Sequence, residues 1–343
     1  MSARPSQIDV AREAGVSPAT VDRVLNGRTG VRSHTALRVS EAVQRLGYRP
    51  DPAAARLARG RVVRLGVVLP AGTNSFVDML AAEVAALVPW LAEQRARVQV
   101  QTADVFSPAA LAQHLAGLQG RFDALVVMAL DHPLVRAAID DLVAAGTRVV
   151  TLVSDVPGSR RLRFVGIDNV AAGRTAGTLL GRFVGPRGGT VATVLGSHAL
   201  RDHAERLLGF RQVLAAEFPR LTLLDPLEGQ DSSTRTEPLV AGLLRRQPGL
   251  AALYSVGAGN RGIQAALQAV AERAPPVVWV CHELTPHARR ALLDGTADAV
   301  INQDAGHEVR SACRVALAAV HGEPVHDAQE RIRIDIFVKD NLP

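Results

Sequence analysis

The sequence predicts an α/β protein with an N-terminal three-helix helix-turn-helix headpiece and a two-lobed body of doubly wound parallel sheets. Three observations carry this expectation. Short helical periods fill residues 1 to 48, ten β-branched runs alternate with alanine- and leucine-rich stretches after residue 62, and the positive charge gathers in the first fifth of the chain. A length of 343 residues with 48% hydrophobic content supports more than one core.

In the headpiece, Ile8, Val10 and Ala11 share one face, and Gly15 breaks that helix for a tight turn. Ser17 is a natural N-cap, followed by Pro18 at the first helical position, where its missing N–H costs nothing. The second helix, PATVDRVLN, turns Val21, Val24 and Leu25 inward. Ser33 caps a third helix that runs through Leu37, Val43 and Leu46 and stops at Gly47. Three short helices with a turn of about three residues between the first two make a helix-turn-helix domain over 1–48. Residues 49–61, RPDPAAARLARGR, are punctuated by Pro50, Pro52 and Gly60 and read as a hinge, with a helical turn or two from Pro52 to Ala58.

From residue 62 the strands are RLGVVLP, RVQVQT, DALVVMAL, RVVTLVS, RFVGI, TVATVLG, LTLLDPL, ALYSV, VVWVCHE and DAVINQ. Helical stretches between them imply parallel sheets covered on both faces. Ten strands fit two lobes, about 62–164 with 304–329 and about 165–303 with 330–343.

Residues 1 to 64 hold 12 Arg, no Lys and 5 acidic groups, a net +7, whereas the remaining 27 basic and 28 acidic residues leave −1. A basic module on a near-neutral body is the footprint of a nucleic-acid-binding domain. Cys281 and Cys313 each sit in a hydrophobic segment and read as buried thiols, not a disulfide or metal cage. No apolar run approaches the roughly 18 residues that span a bilayer, and MSARPSQIDVAREAG lacks a secretory apolar stretch, so the expectation is a cytoplasmic protein without membrane contact.

The run IDVAREAGVSPATVDRVLNG, then VRSHTALRVSEAVQRLGYRP and an alanine-rich hinge, resembles the DNA-binding headpiece of the lac repressor (LacI/GalR) family. The A-x-x-A-G-V-S-x-x-T-V turn, the R-V-L-N ending and the L-G-Y-x-P close all fall at the family spacings. VGIDNVAAGRTAG, ERLLGF and LLDGTADAVINQD resemble the family's ligand-binding half, a periplasmic-binding-protein type I fold shared with ribose-binding proteins. The resemblance implies a transcription regulator, a repressor, whose operator affinity is controlled by a small sugar or polyol effector. The sequence has no G-x-S-x-G, no P-loop lysine and no nucleophilic cysteine setting, so no catalysis, cofactor or metal is expected.

On the second helix, Pro18, Ala19, Asp22 and Arg23 lie opposite the apolar face, where a major-groove helix presents its N-terminal residues to base edges. Arg23 can bond guanine O6 and N7 bidentately, and Ser17 and Thr20 can reach phosphate or a thymine edge. Asp22 stands where the family commonly has serine, exchanging a phosphate-friendly hydroxyl for a repelling charge. By resemblance, Asn26, Arg28 and Arg32 contact the DNA backbone and Leu57 wedges into a kinked minor groove. One headpiece makes too few contacts for specific affinity, so a homodimer on a palindromic operator is expected.

Ligands in open α/β sheets settle beyond the carboxyl ends of strands. The polar residues there are Asn74, Asp131, Ser154, Asp155, His282, Glu283 and Gln303, with Phe76 as an apolar plate for a sugar ring. Gln230 joins them, as does Asn260 beside the Ala258-Gly259 that replaces a frequent Asn-Asp pair of the family. Arg206, in ERLLGF, matches the family arginine that bonds ligand hydroxyls.

Two segments offer rival chemistry. GAGNRG at 257–262 is a G-x-G-x-x-G that follows a strand and opens a helix, with Glu283 about 21 residues on, the pattern of an NAD-binding regulator or oxidoreductase. HELTPH is one residue longer than the zinc-protease H-E-x-x-H, so its histidines miss a shared helical face. A transport-type sugar-binding protein would share the body but not the arginine-rich headpiece.

Overall fold

A computed structural model describes residues 5–25, 27–48, 62–72, 75–257, 259–272 and 275–343. The expectations placed on Asn26, Leu57, Asn74 and the 49–61 hinge lie outside the described residues. The chain divides into two units, 1–61 and 62–343, each considered by itself.

The first unit holds helices Gln7–Ala14, Pro18–Leu25 and Ser33–Leu46. Ser6 caps the first in a capping box with Asp9, and Gly15 ends it at φ 61°, a conformation that costs glycine little. Val10, Ala11, Ala14, Val21, Val39 and Ala42 form its core, with Val24 and Leu25 packed against them. Ile8 and Leu37 are not part of it: they are 60% and 61% exposed. Each stands two residues, about 200° of helix, before a core valine, Val10 or Val39, and so faces away from it. Ser33 begins the third helix instead of capping it; Arg32 is the N-cap and makes no side-chain cap bond.

The second unit contains two sheets. The first comprises β1 (Val63–Pro70), β2 (Ala96–Ala103), β3 (Ala124–Val127), β4 (Arg148–Leu152) and β5 (Arg163–Val165), all parallel in the order β2-β1-β3-β4-β5. Every residue of β3 is buried, as expected of a parallel strand covered on both faces. The second sheet comprises β6 (Gly189–Leu195), β7 (Leu221–Leu223), β8 (Leu227–Glu228), β9 (Leu250–Ser255), β10 (Val278–His282), β11 (Ala299–Gln303) and β12 (Ile334–Phe337). Its order is β12-β11-β10-β9-β6-β7, with β8 also paired to β6. The run LTLLDPL becomes β7 and β8, with Pro226, which has no N–H for a ladder, in the gap between them. β12 has no counterpart among the ten expected strands and runs antiparallel to β11. As an edge strand with mixed burial, it lacks the continuous apolar signature of its neighbours.

The Ala305–His321 helix follows β11 of the second sheet yet packs on β1, β3, β4 and β5 of the first. Helices Asn169–Val184 and Arg201–Glu217 pack backbone to backbone. A Cβ on Gly173 would lie 1.8 Å from the Arg206 carbonyl oxygen, and one on Gly209 would lie 2.1 Å from that of Val170. Only glycine permits this approach, which carries the Arg206 side chain under the ends of β9 and β10.

Candidate functional site

In the first unit, Pro18, Ala19 and Arg23 are exposed on the second helix and Asp22 is half-buried. Ser17 Oγ accepts the Thr20 amide at 3.2 Å and lies 2.9 Å from Thr20 Oγ1, so the two hydroxyls brace the turn through one another. Asp22 is ion-paired to Arg28 at 3.3 Å, which offsets the negative charge on this face. Arg28 and Arg32 are exposed. Arg38, which sequence reasoning did not single out, donates to the carbonyls of Ala14 and Gly15 and so fixes the turn from the third helix.

In the second unit, a cavity of about 30 Å³ is lined by Phe76 and Ser75 on one side and, across it, by strand ends and helix starts carrying Asp231, Asn260, Arg261, His282, Glu283 and His287. That volume suits one or two waters, so a larger guest needs the walls to part. Phe76, Asn260, His282 and Glu283 thus meet as expected. His282 is 1% exposed; its Nε2 lies 2.7 Å from Tyr254 Oη, while Nδ1 has no hydrogen-bond partner among the described residues. Burial, then the positive charge of Arg206, holds its pKa well below the ordinary histidine value. Asn260 accepts from Ser255 Oγ at 2.6 Å and donates to the His282 carbonyl at 3.0 Å, tying β9 to β10.

Arg206 and Gln303 stand behind the cavity wall, each positioned on Glu283. Arg206 Nη2 lies 3.8 Å from Glu283 Oε1, while Nε donates to Asn169 Oδ1 at 2.8 Å and Nη1 to the Val256 carbonyl at 3.0 Å. Gln303 Nε2 donates to Glu283 Oε1 at 2.7 Å. Burial nonetheless pushes Glu283 up to about 7, with Arg206 and Gln303 opposing. Glu308, from the helix on the first sheet, is fully buried with neither carboxylate oxygen hydrogen-bonded among the described residues, and burial, reinforced by Glu283, raises its pKa well above the ordinary value.

Four expected ligand residues are elsewhere. Asp131 is bound by Arg136 at 2.7 Å and, from the other lobe, by Arg201 at 3.5 Å. Asp155 accepts from Arg161 and from Thr151 Oγ1 at 2.7 Å. Nearby arginines claim both carboxylates, which a strand-end rule cannot anticipate. Ser154 is fully buried beyond the cavity, after Val153 at φ 63°. Gln230 is exposed, and its neighbour Asp231 lines the cavity instead.

The GAGNRG glycines have packing roles. A Cβ on Gly257 would meet His203 Nε2 at 2.4 Å and Asp231 Oδ1 at 2.9 Å, and one on Gly262 would meet the Ser233 carbonyl oxygen at 2.2 Å. A Cβ on Gly259, the second glycine of the pattern, would lie 2.6 Å from Thr236 Oγ1, so all three glycines are accounted for by close packing.

Residues 65–324 match the model of the periplasmic binding protein domain, and residues 8–51 match that of the bacterial regulatory proteins, lacI family. The chain belongs to the periplasmic-binding-protein family, with a lacI-family DNA-binding headpiece. Catabolite control protein A of Streptococcus mutans is 48% identical over 73 residues, 21% of this chain and 22% of that protein. Its counterpart in Priestia megaterium matches at the same identity and coverage. The chain thus spans about a fifth of the length of the curated relatives it matches. Among solved structures, a solute-binding protein from Burkholderia graminis in complex with D-arabinose superposes with TM-score 0.74 at 20% identity, covering 81% of this chain and 96% of that one. A glucose-galactose binding protein from Geobacillus stearothermophilus gives 0.72 at 20% identity, covering 82% and 99%. These likenesses bear on the fold of the periplasmic-binding-protein body. No helix among the described residues is long and apolar enough to cross a membrane.

Proposed function

We propose that this protein is a cytoplasmic transcription repressor that reads a palindromic operator as a homodimer and is controlled by a small hydroxylated effector bound at the cavity between Phe76 and His282. In this reading residues 1–48 bind DNA, 49–61 form the hinge and 62–343 sense the effector. The observation that carries it is the union in one chain of a lacI-family headpiece with Arg23 exposed on its second helix and a body whose cavity is ringed by hydrogen-bonding side chains. Arg23, with Pro18, Ala19 and Thr20, faces base edges; Asn26, Arg28 and Arg32 hold the backbone, and Leu57 wedges into the minor groove. No catalytic step, cofactor or membrane enters the reading. The effector acts as an inducer, so by linkage operator DNA weakens its binding by the same factor.

Fluorescence anisotropy with operator DNA tests this. Affinity is expected to fall steeply with salt, and removal of residues 1–61 to abolish binding while the body stays folded. A truncated body that still binds operator rejects the reading. A thermal-shift screen of pentoses, hexoses and inositols finds the effector, since a ligand at a hundred times its Kd adds about 2.7 kcal/mol.

A further inference from the structure

We propose that the effector carries an oxyanion, a phosphate or carboxylate, seated between Arg261, His287 and the helix starts at Asn260 and Pro286. This rests on the effector reading above and narrows its ligand class.

The two segments whose literal motifs led nowhere, GAGNRG and HELTPH, meet at one wall of the cavity: Arg261 comes from the first, His287 from the second, and both line it. Arg261 Nη2 contacts His287 Nε2, and Arg290 Nη2 contacts His287 Nδ1. A neutral imidazole has one acceptor nitrogen, so it cannot satisfy both guanidiniums. Among the described residues no carboxylate is paired with Arg261 or Arg290.

Three helices begin at the same cavity, Ser233–Arg246, Asn260–Gln268 and Pro286–Leu293, and none has an acidic residue in its first turn. The first two have no side-chain cap bond, whereas Thr285 Oγ1 caps the third by accepting the Ala288 amide at 3.3 Å; all three carry partial positive charge at their N-termini, which proteins ordinarily balance with Asp or Glu. His282 Nδ1 provides a separate sign of a ligand: it is a buried polar atom on a cavity-lining side chain and has no partner among the described residues.

Two carboxylates share the lining, but among the described residues neither is ion-paired with Arg261 or Arg290. Asp231 packs with His203 against Gly257, and Glu283 faces Gln303 and Arg206. Asp231 and Glu283 can accept hydrogen bonds from ligand hydroxyls, while Arg261 attracts negative charge. A neutral sugar uses only the carboxylates; a sugar phosphate or sugar acid uses both kinds of group.

The first probe is inorganic phosphate, titrated by calorimetry into the full-length protein against chloride at equal ionic strength. Binding is expected, weakened at least tenfold by Arg261→Ala and partly retained by Arg261→Lys. Arg261 is exposed, so these variants leave the fold intact. Phosphate that binds no better than chloride, or equally well to Arg261→Ala, overturns the proposal. A second series compares glucose, gluconate and glucose 6-phosphate, then ribose with ribose 5-phosphate. Tighter binding of an acid or phosphate form supports the site and tells carboxylate from phosphate. If neutral sugars bind and alter operator affinity but their anionic forms bind no more tightly, this inference fails and the regulator reading stands. If phosphate binds through Arg261 while the full-length protein binds no operator DNA, the site stands and the regulator reading fails.

Discussion

Arg206 Nη2 lies 3.8 Å from Glu283 Oε1, with both side chains almost wholly buried and only Glu283 reaching the cavity. The arginine therefore acts on the cavity through the carboxylate. Arg206→Ala would leave a buried acid without its counter-charge, a change that typically costs about 3–5 kcal/mol. Urea denaturation should reveal that loss, together with weaker effector binding. Gln303→Ala, which frees Glu283 to move, should lower effector affinity with a smaller loss of stability, and normal affinity in both variants would place the ligand elsewhere.

The contact of Gly173 with the Arg206 backbone gives a second expectation. Gly173→Ala puts a methyl against a carbonyl that no rotamer change can move, so the two helices must separate at a cost of about 1–3 kcal/mol or more. Gly249→Ala, where a Cβ meets nothing within 4 Å, should stay within about 0.5 kcal/mol. Equal melting temperatures for the two variants would contradict the close packing.

Glu308 supplies a pH signature. Its native pKa is raised by burial above the unfolded value, so the native state holds a proton that the unfolded state releases as pH rises. Its contribution to stability is therefore complete below about pH 4.5 and declines above it. Glu308→Gln removes this dependence while keeping the shape. The variant should gain on the parent protein as pH rises above the ordinary glutamate range, a gain that Glu283, itself pushed up to about 7 and acting on Glu308, reinforces as it ionises. A stability difference that is flat with pH would mean Glu308 is solvated.

On DNA, Arg23→Ala is expected to cost about 1–3 kcal/mol and to relax selectivity at one base pair per half-site. Arg28→Ala should weaken all sequences alike, doubly so because it unmasks Asp22. Asp22→Asn should then raise affinity for any duplex. Competition binding with scrambled operators separates these outcomes, and a sequence-selective loss in Arg28→Ala would exchange the two roles.

Much was legible in the sequence because local rules act on neighbouring residues. The Gly15 turn, Ser17 followed by Pro18, and the apolar run of β3 each declare their element by capping, φ requirement or periodicity. The headpiece motif and the order of the body segments likewise pointed to the family. Phe76, Asn260, His282 and Glu283 were visible as strand-end or loop residues, and all four line the cavity. What tertiary structure decided was which partners those residues have. Nearby arginines claim Asp131 and Asp155, Arg206 and Gln303 stand behind Glu283, and β12 returns antiparallel to an edge. Arg261 and His287, 26 residues apart, sit in a segment with the dinucleotide pattern and in one that misses the zinc-protease spacing by a residue. Their shared role depends on two helix starts meeting across parallel strands. Sequence periodicity encodes which face of an element is apolar; the meeting of distant charges is set by how glycine contacts, sheet order and buried volume let those faces pack.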